Sequence, residues 1–187
     1  KPDIAIIANP TNYHLQTAKK LIPIVDGIFM EKPLSNSLDG TEQLTEYHNW
    51  KDKVFFMGHN LLFHPIIETI KEFMSSNDLG KILNIQCQCG QWLPDWHSYE
   101  DYKQSYSARK DLGGGVSLTL IHEIYITIAL GGKPSEVCGI ISKSDLLGLD
   151  VDVISDTMIR HENGNISQIH LDYIQNPPHR SGLISFE

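Results

Sequence analysis

Cysteine is scarce in this 187-residue chain: Cys87, Cys89 and Cys138 are the only three, and none forms a CxxC pair. Three thiols cannot all pair within one chain, which excludes a disulfide scaffold and points to a reducing, cytoplasmic compartment. Positive charge is scarce too, 15 Lys and Arg against 23 Asp and Glu, for a net charge of −8. Lys19-Lys20 and Arg109-Lys110 are only pairs, so a phosphate backbone meets no basic cluster and no nucleic-acid partner is expected. Long apolar runs are missing. The richest, Gly115 to Leu130, carries His122 and Glu123 near its middle and is too short and too polar to span a bilayer. No GxGxxG, HxH or HxxxH occurs, and the nine histidines are scattered over unlike segments, so no metal site is expected. The first residues, Lys1-Pro2-Asp3, carry neither an initiator Met nor a leader pattern and read as the interior of a longer chain.

Hydrophobic residues make up 41% and charged residues 20%, ordinary values for a globular chain. Ile4-Ala5-Ile6-Ile7-Ala8 is continuously apolar, the pattern of a strand buried on both faces of a parallel sheet. Thr11 or Asn12 is placed to cap a helix through Leu15, Ala18, Leu21 and Ile22. Gly27–Met30 and Val54–Gly58 read as two more strands, with a helix expected over Leu38–Trp50 between them. The order strand, helix, strand, helix, strand is half of a doubly wound sheet. Pro65 opens an amphipathic helix through Ile66, Ile67, Ile70, Phe73 and Met74. From Lys81 the period changes to two: Leu83, Ile85, Cys87 and Cys89 alternate with polar residues, as in an antiparallel sheet. Val116–Leu130 reads as one buried helix closed by Gly131-Gly132. Strands are expected over Glu136–Ser142, Asp152–Arg160 and Asn165–Ile174, the last two joined by an Asn163-Gly164 hairpin.

Several residues carry chemistry. Glu31-Lys32-Pro33 stands where a parallel strand ends, the edge at which open α/β sheets bind ligands. Pro33 keeps Lys32 extended, and an ammonium there can donate to a substrate oxygen and favour its negative form. Read alone, a solvated surface lysine is the commoner outcome. His122 lies one turn beyond Thr119 and titrates in the range needed to take a proton from an alcohol. Gly113-Gly114-Gly115 permits close backbone approach. The segment from Trp92 to Lys110 is dense in rings and polar groups, with Asp95, Tyr106 and Arg109 suited either to sugar contacts or to packing.

Taken in order, these pieces resemble the Gfo/Idh/MocA family of NAD(P)-dependent oxidoreductases. Asp3 to His14 is similar to the family's fourth Rossmann strand and cofactor turn, and Glu31-Lys32-Pro33-Leu34 to its EKP motif. Gly58-His59-Asn60-Leu61-Leu62-Phe63-His64-Pro65 resembles the junction with its second domain, and Gly113 to Gly132 its active-site helix. Leu62 and Tyr125 stand where many relatives have Arg and Asp.

The resemblance implies the C-terminal half of a Rossmann sheet over residues 1–59. An α+β domain with a large, mainly antiparallel open sheet is implied over 60–187. It implies NAD or NADP as cofactor, held near Asn9, Pro10, Thr11 and His14 on one turn and Glu31, Lys32 and Pro33 on the next. Lys32, His122 and Thr119 are the implied catalytic group; Asn60, Asp95, Tyr106 and Arg109 the implied substrate contacts. The implied substrate is a sugar-like small molecule, and the implied assembly a homodimer or homotetramer. The alternative is a truncated, non-catalytic member whose remaining role is oligomerisation or ligand binding.

Overall fold

A computed structural model describes residues 2–47, 50–76 and 79–187. The chain opens with three short parallel strands in register, β1 (Ile4–Ile7), β2 (Gly27–Met30) and β3 (Val54–Met57), in the order β1-β2-β3. Helix α1 (Thr11–Leu21) makes the crossover from β1 to β2. Its apolar stripe, Leu15 and Ala18, closes with Ile22 over Ile7, Ile28 and Met30 to form the first core. This is half of a doubly wound α/β sheet.

Helix α2 (Pro65–Ser75) leads to the second sheet, with Pro65 in its first turn as expected. That sheet contains β4 (Ile82–Gly90), β5 (Pro134–Ser142), β6 (Ile154–His161), β7 (Ile166–Asp172) and β8 (His179–Phe186), in the order β5-β6-β7-β4-β8. Neighbours are antiparallel except β4 and β7, which run parallel. Helices α3 (Val116–Thr119) and α4 (His122–Gly131) pack on one face. Ile85, Cys87 and Leu130 form one core there; Val116, Leu120, Ile159, Ile169 and Leu171 form another. No single helix among the described residues is long and apolar enough to cross a membrane.

Five expectations need correction. First, β1 is buried on one face only: Ile4 and Ile6 are 68% and 74% exposed. α1 covers one face of the three-stranded sheet, and Phe29, Val54 and Phe56 also lie exposed. Second, no α-helix forms over Leu38–Trp50; 3-10 turns occupy Glu42–Leu44 and Trp50–Asp52, and His48 and Asn49 lie outside the described residues. Gly40 takes a φ of 73°, Ser37 and Asp39 bond each other locally, and Leu44 is buried while Leu38 is exposed, so no helical stripe exists to be packed. Third, Pro10 occupies the cap of α1, so Thr11 and Asn12 belong to its first turn, and the Asn12 side chain donates instead to the Asp111 carbonyl. Fourth, the long buried helix is two helices, because Leu120 leaves the helical region (φ −94°, ψ 31°). Fifth, β8 arises in a stretch left unassigned by the sequence pattern. The Asn163-Gly164 turn does join β6 to β7, with Gly164 at a φ of 93°.

Candidate active site

The carboxyl ends of β1 and β2 open into a cleft of about 340 Å³ lined by Ala8, Asn9, Pro10, Thr11, His14, Glu31, Lys32 and Tyr106. The turn is held from behind by His14, which is 1% exposed. Its Nδ1 lies 2.6 Å from the Pro33 carbonyl and its Nε2 2.7 Å from the Asn9 carbonyl. One ring thus ties together the turns that follow the first two strands. A buried carbonyl at a strand end needs a donor, and a ring N–H of His14 supplies one here.

Lys32 leaves this turn toward the second sheet. Its Nζ donates to the Thr119 carbonyl at 2.6 Å, a bond across 87 positions of sequence. Thr119 ends α3, where last-turn carbonyls have no partner in the helix. An ammonium carries three donors, so two remain for another oxygen. Burial lowers the Lys32 pKa, the Arg180 charge adds to this, and the Glu31 and Glu123 carboxylates oppose it.

His122 begins α4 three residues beyond Thr119. It lines a second cleft, of about 500 Å³, with Glu31, Asn60, Phe29, Phe56 and Phe63. Glu31 is therefore a wall common to both clefts. Burial and then the nearby Lys32, Arg180 and His59 push the His122 pKa down to about 4. The ring is thus neutral at ordinary pH, and the same shift makes it a weaker base than the near-neutral imidazole expected from the sequence. His59, from the junction before α2, packs its ring on Tyr125 at a centroid distance of 3.3 Å, and burial and Lys32 lower its pKa as well. Tyr125 therefore serves here as a packing partner for an imidazole.

The glycine run shapes the approach to α3. Gly113 and Gly115 have φ values of 80° and 116°. A Cβ on Gly114 would sit 2.4 Å from the Tyr106 carbonyl oxygen. Asp152 accepts from the Ser117 backbone N–H at 2.9 Å and from its hydroxyl at 2.7 Å, anchoring the start of α3.

The fold brings Asn9, Pro10, Thr11, His14, Glu31, Lys32 and Tyr106 to one cleft, sets Thr119 against Lys32, and places Asn60 beside His122. Pro33 is buried behind the turn. Asp95 and Arg109 line neither cleft: Asp95 is exposed on a 3-10 turn, and Arg109 pairs with Asp111. The sequence reading misses three site-side residues: His59, Glu123 and Arg180. Glu123 is visible in sequence only as a charge inside an apolar run, and Arg180 stands in the unassigned β8.

The cleft fits part of a dinucleotide. Its volume suits one ring and ribose more closely than two nucleosides, given that pockets for whole ligands run from about 300 to 1,000 Å³. α1 begins at its floor with no acidic residue in the first turn, leaving an uncompensated positive dipole end.

Residues 67–185 match the GFO/IDH/MocA C-terminal domain. The D-xylose dehydrogenase of Paenarthrobacter nicotinovorans is 25% identical over 136 residues, covering 72% of this chain and 35% of that protein. Levoglucosan dehydrogenase, solved in complex with NADH, superposes with a TM-score of 0.86 at 21% identity, over 98% of this chain and 52% of that one. GenD2 from gentamicin A biosynthesis, solved with NAD, gives 0.83 at 20% identity with the same coverage, 98% and 52%. The chain spans about a third of the curated relative's length (35%) and about half of each solved structure (52%). With the family match extending over most of the second sheet and its helices, the chain belongs to the GFO/IDH/MocA family.

Proposed function

We propose that this chain is part of an oxidoreductase that transfers a hydride between a nicotinamide cofactor, NAD or NADP, and a hydroxyl or carbonyl carbon of a sugar or sugar derivative. Residues 1–59 form the cofactor side and residues 60–187 the substrate side. The cofactor, when bound, accepts or returns the hydride. Asn9, Pro10, Thr11, Glu31 and Lys32 line its place; His14 and Pro33 hold the two turns together from behind.

In the oxidative direction the substrate hydroxyl lies between Lys32 and His122. An N–H of Lys32 bonds its oxygen and favours the negative form that develops as the proton leaves. His122, neutral in the resting fold, accepts that proton as the hydride leaves the neighbouring carbon. Thr119 fixes the ammonium through its carbonyl. Asn60 and Tyr106, each lining one of the two clefts, contact the sugar in this reading. Asp95 and Arg109 reach the substrate only if their loop moves toward the clefts.

The observation that carries this reading is the Lys32–Thr119 bond, which joins the strand-end turn to the segment bearing His122. The relatives named above, a D-xylose dehydrogenase and two proteins solved with NAD or NADH, support the substrate and cofactor classes. The outer face of the second sheet, with Ile140, Met158 and Leu183 exposed, is the proposed contact of a homodimer or homotetramer. Thiols that are all free fit a cytoplasmic protein. The test is formation of reduced nicotinamide with a panel of aldoses and sugar acids. His122→Ala should lower turnover by about 10²–10⁴ while leaving cofactor affinity nearly unchanged; full turnover by that variant overturns the assignment.

A further inference from the structure

α4 is apolar nearly all round, and apolar packing is non-directional, so packing alone fixes its rotation poorly. Polar ties fix it at both ends. At the C-terminal end, Asn163 and Asn165 donate to the Gly131 carbonyl at 2.9 and 3.1 Å, and His161 Nδ1 donates to the Gly132 carbonyl at 2.7 Å. At the N-terminal end, Ile121 gives no side-chain cap. The tie there is Glu123, 2% exposed, whose Oε1 meets Arg180 Nε at 2.7 Å.

Arg180 reaches Glu123 because of strand alternation. On β8 it pairs with Cys89, and Gly182 and Ile184 pair with Cys87 and Ile85, so all three share the helix-covered face. The carboxylate is buried while Arg180 is half-exposed. A buried ion pair adds little net stability, whereas removing one partner is strongly unfavourable. Its use here is geometric. Successive helix residues project about 100° apart, so a fixed azimuth for Glu123 fixes that of its neighbour His122.

We infer that Arg180 is a positioning residue for His122: its ion pair with Glu123 pins the first turn of α4 to β8 and so sets the imidazole in the cleft it lines with Glu31 and Asn60. The inference rests on the proposed oxidoreductase reading only for what the imidazole then does. The charged or titratable groups around His122 are Lys32 from the strand-end turn, His59 from the junction before α2, Arg180 from β8 and Glu31 on the cleft wall.

The test uses the purified protein with Arg180→Met, Arg180→Lys and Glu123→Leu. His122 ring signals are followed by NMR through a pH titration without substrate, and turnover and cofactor Kd are measured beside them. Arg180→Met and Glu123→Leu should each broaden or split the His122 signals. Both should lower turnover by about 10–100-fold, the scale of a misplaced catalytic group, with cofactor Kd within about twofold. Arg180→Met removes a positive charge and Glu123→Leu a negative one, so a loss shared by both variants reports lost positioning, their effects on the field being opposite in sign. Arg180→Lys, which keeps an ion pair, should restore a single ring environment and most of the turnover. Wild-type ring signals in folded Arg180→Met or Glu123→Leu overturn the inference. Should either fail to fold, Arg180→Lys decides: a folded Lys variant with a disordered His122 ring also overturns it. If the unaltered protein turns over no sugar, the oxidoreductase reading fails, while the ring signals still decide the role of Arg180.

Discussion

Lys32 Nζ donates to the Thr119 carbonyl at 2.6 Å, so an ammonium from the parallel sheet is held by the segment that leads to His122. Lys32→Met removes this bond and the charge meant for the substrate oxygen. A hydrogen bond from a charged group contributes about 1.5–3 kcal/mol, and the burial of an ammonium offsets part of it. Stability should therefore change little and turnover should fall by ~10²–10³, as read by melting temperature beside steady-state rates.

His122 gives the pH dependence a defined direction. In the unfolded chain its imidazole titrates near 6.5, whereas in the fold it takes a proton only at about 4. Between those values the unfolded state binds a proton that the native state does not. This contribution is fully present above about 6.5 and is lost as pH falls toward about 4. His122→Gln should flatten that loss in urea titrations at successive pH values. The acid limb of kcat/KM should likewise lie near 4 and not near 6.5.

Much of this was legible in sequence where one local signal sufficed. The three apolar runs became β1 to β3, Pro65 opened α2, and Asn163-Gly164 turned β6 into β7. Lys32 and His122 were legible as a pair only through the family resemblance, since their meeting is a tertiary fact. Leu38–Trp50 misled because its residues have helical composition but, among the described residues, bury only Leu44. β8 was hidden because its inward positions are Arg180, Gly182 and Ile184, an apolar stripe broken by a charge and a glycine. That charge finds its reason only in Glu123, 57 positions earlier in the chain.

The glycine triplet should be intolerant for steric reasons. A Cβ on Gly114 would meet the carbonyl oxygens of Tyr106 and Ser107 at 2.4 and 2.6 Å. Gly114→Ala should destabilise the fold by about 1–3 kcal/mol through forced overpacking and lower turnover by displacing α3. Gly182→Ala is the control, because its Cβ would find only ordinary contacts at 3.6 Å or more. Denaturant unfolding of the two variants, side by side, checks the difference.

His14 binds no substrate in this account, yet it joins the turns of Asn9 and Pro33 behind the cofactor cleft. His14→Ala removes the ring N–H from a buried carbonyl, at about 1–3 kcal/mol, together with the link between the two turns. Isothermal calorimetry should find weaker NAD(P) binding, with the pH dependence of turnover unchanged because Lys32 and His122 are intact.

The most direct measurement is a double-substitution cycle on turnover with Lys32→Met, His122→Ala and the two combined. Groups acting on one hydroxyl fail together, so the combined variant should lose scarcely more than the worse single one. Losses that multiply, each change acting as though the other residue were intact, would contradict a shared reacting site.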